Sequence, residues 1–143
     1  MNPLNALFAW WNVTTQASSS LGQRGEAVAE KFLRKLGYRI LARNYRNKLG
    51  EIDLIAIDGH TVVFVEVKTR TDHRAGCPTE AVTADKQRQL TKLALSYLKR
   101  YRLLEHAARF DVVAITWTEP AETPAVTHLQ HAFPAIGLRQ MFS

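Results

Sequence analysis

Asp53, Glu66 and Lys68 interrupt the apolar rhythm of an alternating stretch from Gly50 to Arg70 (GEIDLIAIDGHTVVFVEVKTR). Side chains alternate along a strand, so Glu66 and Lys68 share a face. The Asp58-Gly59 pair signals a hairpin. With those two as the loop, Ile57 pairs with His60, and Asp53 lies opposite Phe64 and diagonal to Glu66. With a four-residue loop, Asp53 lies directly opposite Glu66. Either register puts Asp53, Glu66 and Lys68 on one face, roughly 4.5 to 8 Å apart. Only an odd-length loop or a bulge would separate them.

Two carboxylates about 6 Å apart, at an effective dielectric near 20, repel by roughly 2.8 kcal/mol. Protonation of one, a cation, or Lys68 must offset that cost. Mg²⁺ takes one or two carboxylates and keeps several waters. The backbone carbonyl of Val67, between Glu66 and Lys68, could add a ligand, and Lys68 would then stand beside the metal-bound water. The competing reading is a salt bridge from Lys68 to Asp53 or Glu66 on a partly wet sheet. For an arbitrary hairpin that reading is the default.

Other candidates surround this stretch. Glu26 lies at the edge of a helical apolar stripe and could reach the sheet, although a solvated position is its default. Glu51 has the strand parity of Asp53, as an outer acid or, by preference, a wetted rim residue. Lys86, one turn before Leu90, either binds a phosphate or snorkels to solvent. Asn44 and Arg46, ahead of Gly50, shape the turn by default, with DNA contact the alternative. Asp111 is expected to find a structural partner such as Arg109 or a backbone amide. His128 and His131 have HxxH spacing, a poor zinc signal in a strand. Cys77 lacks a base partner that would make it a nucleophile. Trp10 and Trp11 are read as packing residues ahead of base-stacking ones.

The elements that must position these residues follow from periodicity. A helix is predicted from about Gly22 to Leu36, with Val28, Phe32 and Leu36 on its buried stripe, Leu33 widening it, and Gly37 as its stop. YRILARNYR reads as a first strand, and the hairpin supplies the second and third. TRTDHRAGCPTE reads as a loop. A second helix starts at Thr83 as N-cap, has Asp85 in its first turn, and buries Leu90, Leu93, Tyr97 and Tyr101. RFDVVAITW is a fourth strand and AVTHLQHAF a candidate fifth, across a turn region from Thr118 to Pro124. Residues 1–20 form an extension with helical spacing at Leu4, Leu7, Phe8 and Trp11, its QASSS read as a linker and helix approach. Residues 21–143 form one α/β domain, a mixed sheet flanked by helices in the order α-β-β-β-α-β-(β).

Composition fits this picture. The 143 residues suit one domain and are 46% hydrophobic and 22% charged. No apolar run approaches the ~20 residues of a membrane helix. The N-terminus lacks a basic residue before Arg24, so no secretory signal is read. A single cysteine fits a reducing compartment, and a cytoplasmic protein is expected. The net charge is +6, concentrated from Arg24 to Lys48 and from Lys86 to Arg109. A polyanion partner, most economically nucleic acid, accounts for it. Solubilising charge on helix faces accounts for it as well, and charge alone does not separate the two.

Five blocks together, GQRGEAVAEKFLRKLGY, NYRNKLGEIDLIAID, VFVEVKTR, the helix with Lys86, and RFDVVAI, resemble the YraN-type uncharacterised protein family. That family belongs to the restriction-endonuclease-like superfamily, with its PD-(D/E)xK motif. The resemblance covers about residues 21–136. It implies a restriction-endonuclease-like core and a metal-dependent DNA endonuclease. By resemblance Asp53, Glu66 and Lys68 are the motif's aspartate, acidic residue and lysine, and Glu26 matches the helix-borne acid of similar junction resolvases. Ile52 stands where the literal motif has proline. Asp53, Glu66, the Val67 carbonyl and Glu26 would then hold Mg²⁺ or Mn²⁺. Lys68 would orient water or neutralise the developing oxyanion. Arg70, His73, Arg74, Lys86, Arg46 and Arg24 would hold phosphates without reading bases. The expected substrate is branched or junction DNA in recombination or repair, with a helicase or recombination protein as partner, no membrane, and a homodimer where both strands are cut. A nucleic-acid-binding module that does not cut alone is the alternative.

Overall fold

A computed structural model describes residues 19–71, 82–117 and 123–136. The elements are α1 (Ser19–Lys35), β1 (Arg39–Asn47), β2 (Gly50–Asp58), β3 (Thr61–Arg70), α2 (Ala84–Arg100), β4 (Ala108–Thr116) and β5 (Ala125–Phe133). The expected order holds, and the candidate fifth strand is present. One sheet runs β1-β2-β3-β4-β5. Only β3 and β4 pair in parallel, because α2 carries the chain between them. Most of the N-terminal extension, most of the 69–80 loop and most of the 118–124 turn region lie outside the described residues, with Trp10, Trp11, His73, Arg74 and Cys77.

Alternation along β3 builds two cores. Val62 and Phe64 pack with Leu90, Leu93, Ala94, Tyr97 and Leu98 of α2. Val63, Val65 and Val67 pack with Ala29 and Leu33 of α1. The helices therefore cover opposite faces of the sheet. Thr83 caps α2 by accepting the Lys86 N–H at 3.2 Å. Gln89, buried in α2, donates to the Leu49 carbonyl at 2.7 Å and ties the β1–β2 turn to the helix.

Three helix expectations need correction. The first helix begins at Ser19, inside the segment read as a linker. Its buried stripe is centred on Ala29 and Leu33, with Val28 and Phe32 at the margin. Leu36 is 52% exposed. The chain reverses immediately after it: Gly37 has φ +93°, its N–H bonds the Arg34 carbonyl, and Tyr38 N–H bonds the Leu33 carbonyl. Tyr101 is likewise exposed, because it caps the end of α2 and lies past its last packed turn, where Leu98 is buried instead.

Gly25 sets how closely α1 approaches β3. A Cβ there would stand 1.9 Å from Thr69 Oγ1 and 3.0 Å from Thr69 Cβ. Threonine is stiff at χ1, so the hydroxyl cannot simply swing away. Gly25→Ala should lower stability by about 1–3 kcal/mol through overpacking, against the ~1 kcal/mol that alanine gains in a helix. Thermal unfolding of Gly25→Ala and of Gly25→Ala with Thr69→Ala checks this, the second change restoring most of the loss. A single variant as stable as the parent would show a looser contact.

Candidate functional site

The β2–β3 ladder runs from Asp58↔Thr61 to Leu54↔Val65. The loop is therefore Gly59-His60, and not the expected Asp58-Gly59. Asp58 stays in the ladder, where its carboxylate accepts from Arg109 at 3.0 Å, and Gly59 takes φ +60° at the first loop position. The register is nevertheless that of the four-residue count, with Ile57 opposite Val62. Continued one step past Leu54, it sets Asp53 opposite Glu66.

At that level the two strands fork. Asp53 Oδ2 accepts the Val67 N–H at 2.8 Å, taking the place of a backbone partner. The N–H and C=O of one residue in a strand point to the same side, so the Val67 carbonyl also faces the fork. Glu66 is buried, and Lys68 Nζ stands 3.5 Å from its Oε1.

The alternation that places these residues also breaks here. Ile52 and Ile55, three positions apart, both enter the core under α2, as do Ala42 and Tyr45 of β1. The registered pairs pass from Arg43↔Leu54 to Tyr45↔Ile52, leaving Asn44 level with Asp53 without a ladder pair. Asn44 has φ +50°. With its amide nitrogen turned to the carboxylates, it donates to Glu51 Oε1 at 3.0 Å and to Glu26 Oε2 at 3.2 Å. Asn44 is thus within the strand, not in the turn to which the sequence reading assigned it. Asparagine tolerates left-handed backbone, but nothing in the residue pattern locates such a break.

Four acids meet here: Glu66 and Glu26 act on Asp53, and Glu51 and Glu66 act on Glu26. Asp53 keeps some exposed surface, but its carboxyl lies among protein atoms. Burial, then Glu66, pushes it well above its ordinary 3.8, with Glu26 adding, while the Val67 N–H and Lys86 oppose the rise. Burial, then Glu51, also raises Glu26, against the Asn44 hydrogen bond. Lys86 of α2 therefore acts on the fork from the opposite side to α1. Glu26 and Asn44 also border a cleft of about 160 Å³ between α1 and β1.

The basic candidates are placed more widely. Arg70 ends β3, and its carbonyl accepts the Trp117 N–H at 2.8 Å. The Arg24 guanidinium stacks 4.5 Å over the Trp117 ring. Arg46 lies within β1, not in a turn, and bonds Glu51 at 2.8 Å. Asp111 binds Arg109 and the His131 N–H, and His128 stands 2.8 Å from it, so that pair of histidines serves strand β5.

The donor set fits a hard divalent cation. Among the described residues, no three His, Cys, Asp or Glu side chains converge to hold a metal. Two carboxylates and one carbonyl at the fork suffice for an ion that keeps several waters. All three donors are oxygens, and burial together with the neighbouring Glu66 raises the Asp53 carboxyl, so its charged form is disfavoured in the metal-free protein.

This sets a stability prediction. An acid whose folded pKa is raised holds its proton more tightly when folded, so stability falls as pH rises from its ordinary 3.8 through the raised value. At pH 7, with chelator, Asp53→Asn should therefore be more stable than the parent, with a flatter decline across that window. Mg²⁺ should raise the melting temperature of the parent and not of Asp53→Asn. A destabilised Asp53→Asn at neutral pH would contradict the assignment.

The sequence itself matches the family model described as Uncharacterised protein family UPF0102 over residues 25–115. A UPF0102 protein of Geobacter metallireducens is 48% identical over 116 residues, 81% of this chain and 93% of that protein. One of Geotalea uraniireducens is 49% identical over 116 residues, 81% and 91% of the two chains. One of Symbiobacterium thermophilum is 55% identical over 98 residues, 68% and 83%.

Proposed function

The chain belongs to the uncharacterised protein family UPF0102, and we propose that it is a metal-dependent endonuclease hydrolysing DNA phosphodiester bonds in the cytoplasm. One observation carries the reading: the fork in which Asp53, bonded to the Val67 N–H, faces Glu66 with Lys68 beside it. A bound Mg²⁺ or Mn²⁺ would supply Lewis-acid stabilisation of the phosphate and a water of lowered pKa. Asp53, Glu66 and the Val67 carbonyl would hold it, with Glu26 at the margin. The Lys68 ammonium donates a hydrogen bond to the attacking water or to the developing oxyanion. Arg70, Arg74, Lys86, Arg46 and Arg24 would contact phosphates, which fixes the strand without reading its bases.

The small size of the domain favours selection by DNA shape, so branched or junction DNA of recombination or repair is the proposed substrate. Cutting both strands of a symmetric junction calls for two sites, supplied by a homodimer. The test is incubation of the protein with duplex, single-stranded, flap and four-way-junction DNA, in Mg²⁺ or Mn²⁺ at low salt. Cleavage favouring branched substrates is expected, and no cleavage of any substrate would overturn the reading. The basic segments from Arg24 to Lys48 and from Lys86 to Arg109 equally suit a second reading, a nucleic-acid-binding module that works with a helicase or other partner. Salt-sensitive binding without cleavage, unchanged by Lys68→Ala, would support it.

A further inference from the structure

Among the described residues, Asn44 joins the helix to the hairpin at this site hydrogen bond by hydrogen bond. Its amide meets Glu26 of α1 and Glu51 of β2 at 3.2 and 3.0 Å. Two carboxylates from different elements need something between them, and a neutral donor with two N–H groups serves both at once. The backbone is arranged for the same end. A residue other than glycine at φ +50° within a strand is uncommon, and such a conformation persists only where its surroundings fix it. Here it interrupts the β1–β2 ladder at the level of Asp53, whose carboxylate is turned to β3.

We propose that Asn44 is a positioning residue that holds Glu26 against the hairpin, so that the helix-borne acid stands ready at the fork. The metal-related part of this role rests on the endonuclease reading above. The tie itself exists in the metal-free protein. Asn44 touches no reacting atom, and its effect passes through Glu26.

Asn44→Gly separates backbone from side chain, since glycine accepts the left-handed conformation and loses only the amide. The first measurement is a double-mutant cycle of Asn44→Gly with Glu26→Gln, by urea unfolding in chelator. The changes should be non-additive by roughly two- to tenfold in the unfolding constant. Additive effects would overturn the tie. The second is Mn²⁺ titration followed by electron paramagnetic resonance, where Asn44→Gly should weaken binding by about 10–100-fold, the usual effect of removing an outer-shell partner. Unchanged Mn²⁺ affinity would overturn the positioning role. If the parent protein binds no Mn²⁺, the metal reading fails, and the cycle still decides whether Asn44 holds Glu26.

Discussion

Lys68→Ala should slow single-turnover DNA cleavage by about 10²–10³-fold, the usual cost of losing one donor to a developing oxyanion, while cation binding stays intact or tightens. The two directions follow from one geometry. Lys68 Nζ lies 3.5 Å from Glu66 Oε1, and both side chains are largely buried. The ammonium therefore neutralises a carboxylate that a cation would also use. Removing it makes the fork more negative, which favours the ion, yet takes away the donor that on the endonuclease proposal would meet the transition state. Asp53→Ala should behave differently. It removes a ligand and frees the Val67 N–H, so it should lower both Mn²⁺ affinity and cleavage. Cleavage at saturating cation, set beside the cation dependence, tells the two apart. If Lys68→Ala lost activity only by needing more Mg²⁺, the lysine would be part of the ion's support and not of the chemistry. Activity surviving both substitutions would place the reaction elsewhere.

Much of this site was legible because strand parity is simple. Glu66 and Lys68 fall on one face whatever the loop length, and both registers considered brought Asp53 near Glu66. The loop was misplaced because Asp-Gly is a local signal, while Asp58 is recruited to the ladder by Arg109, 51 residues away in sequence. The helix stripes were found but shifted by a residue at α1. Four-residue spacing picks out Val28, Phe32 and Leu36, whereas contact with β3 centres on Ala29 and Leu33. The break at Asn44 was not legible at all. Nothing in ARNYR distinguishes a regular strand from one that turns left-handed at its middle, and the reason lies with acids on two other elements. Charge gave the least about local partners: nothing in the basic segments announces that Arg24 stacks on Trp117 or that Arg46 pairs with Glu51.

Asp111 supplies the complementary test, because it is a second buried acid with the opposite surroundings. It is fully buried and faces donors. Arg109 Nε reaches its Oδ1 at 3.0 Å, His128 Nε2 lies 2.8 Å from Oδ2, and the His131 N–H is 3.2 Å from Oδ1. The same Arg109 continues to Asp58 and to the Tyr38 hydroxyl, so one carboxylate anchors β4, β5 and the end of the β2–β3 hairpin. His131 has φ +49° where the β4–β5 register shifts, and Asp111 satisfies the N–H exposed by that irregularity. Asp111→Ala would leave a buried guanidinium short of its counter-ion and a backbone N–H without its acceptor. The expected cost is about 3–5 kcal/mol. Asp111→Asn keeps an acceptor and loses the charge, so it should fall between. The sign is thus opposite to that at Asp53, where removing charge should stabilise. Both residues are carboxylates within one sheet; their neighbours differ, cations and donors around Asp111, chiefly other acids around Asp53 beside the Val67 N–H. Urea unfolding of Asp53→Asn and Asp111→Asn at pH 7 in chelator measures both. Cleavage per folded molecule should be unchanged in Asp111→Asn below its melting temperature. Stability changes of the same sign in the two variants would mean that the company each acid keeps does not decide what its charge costs.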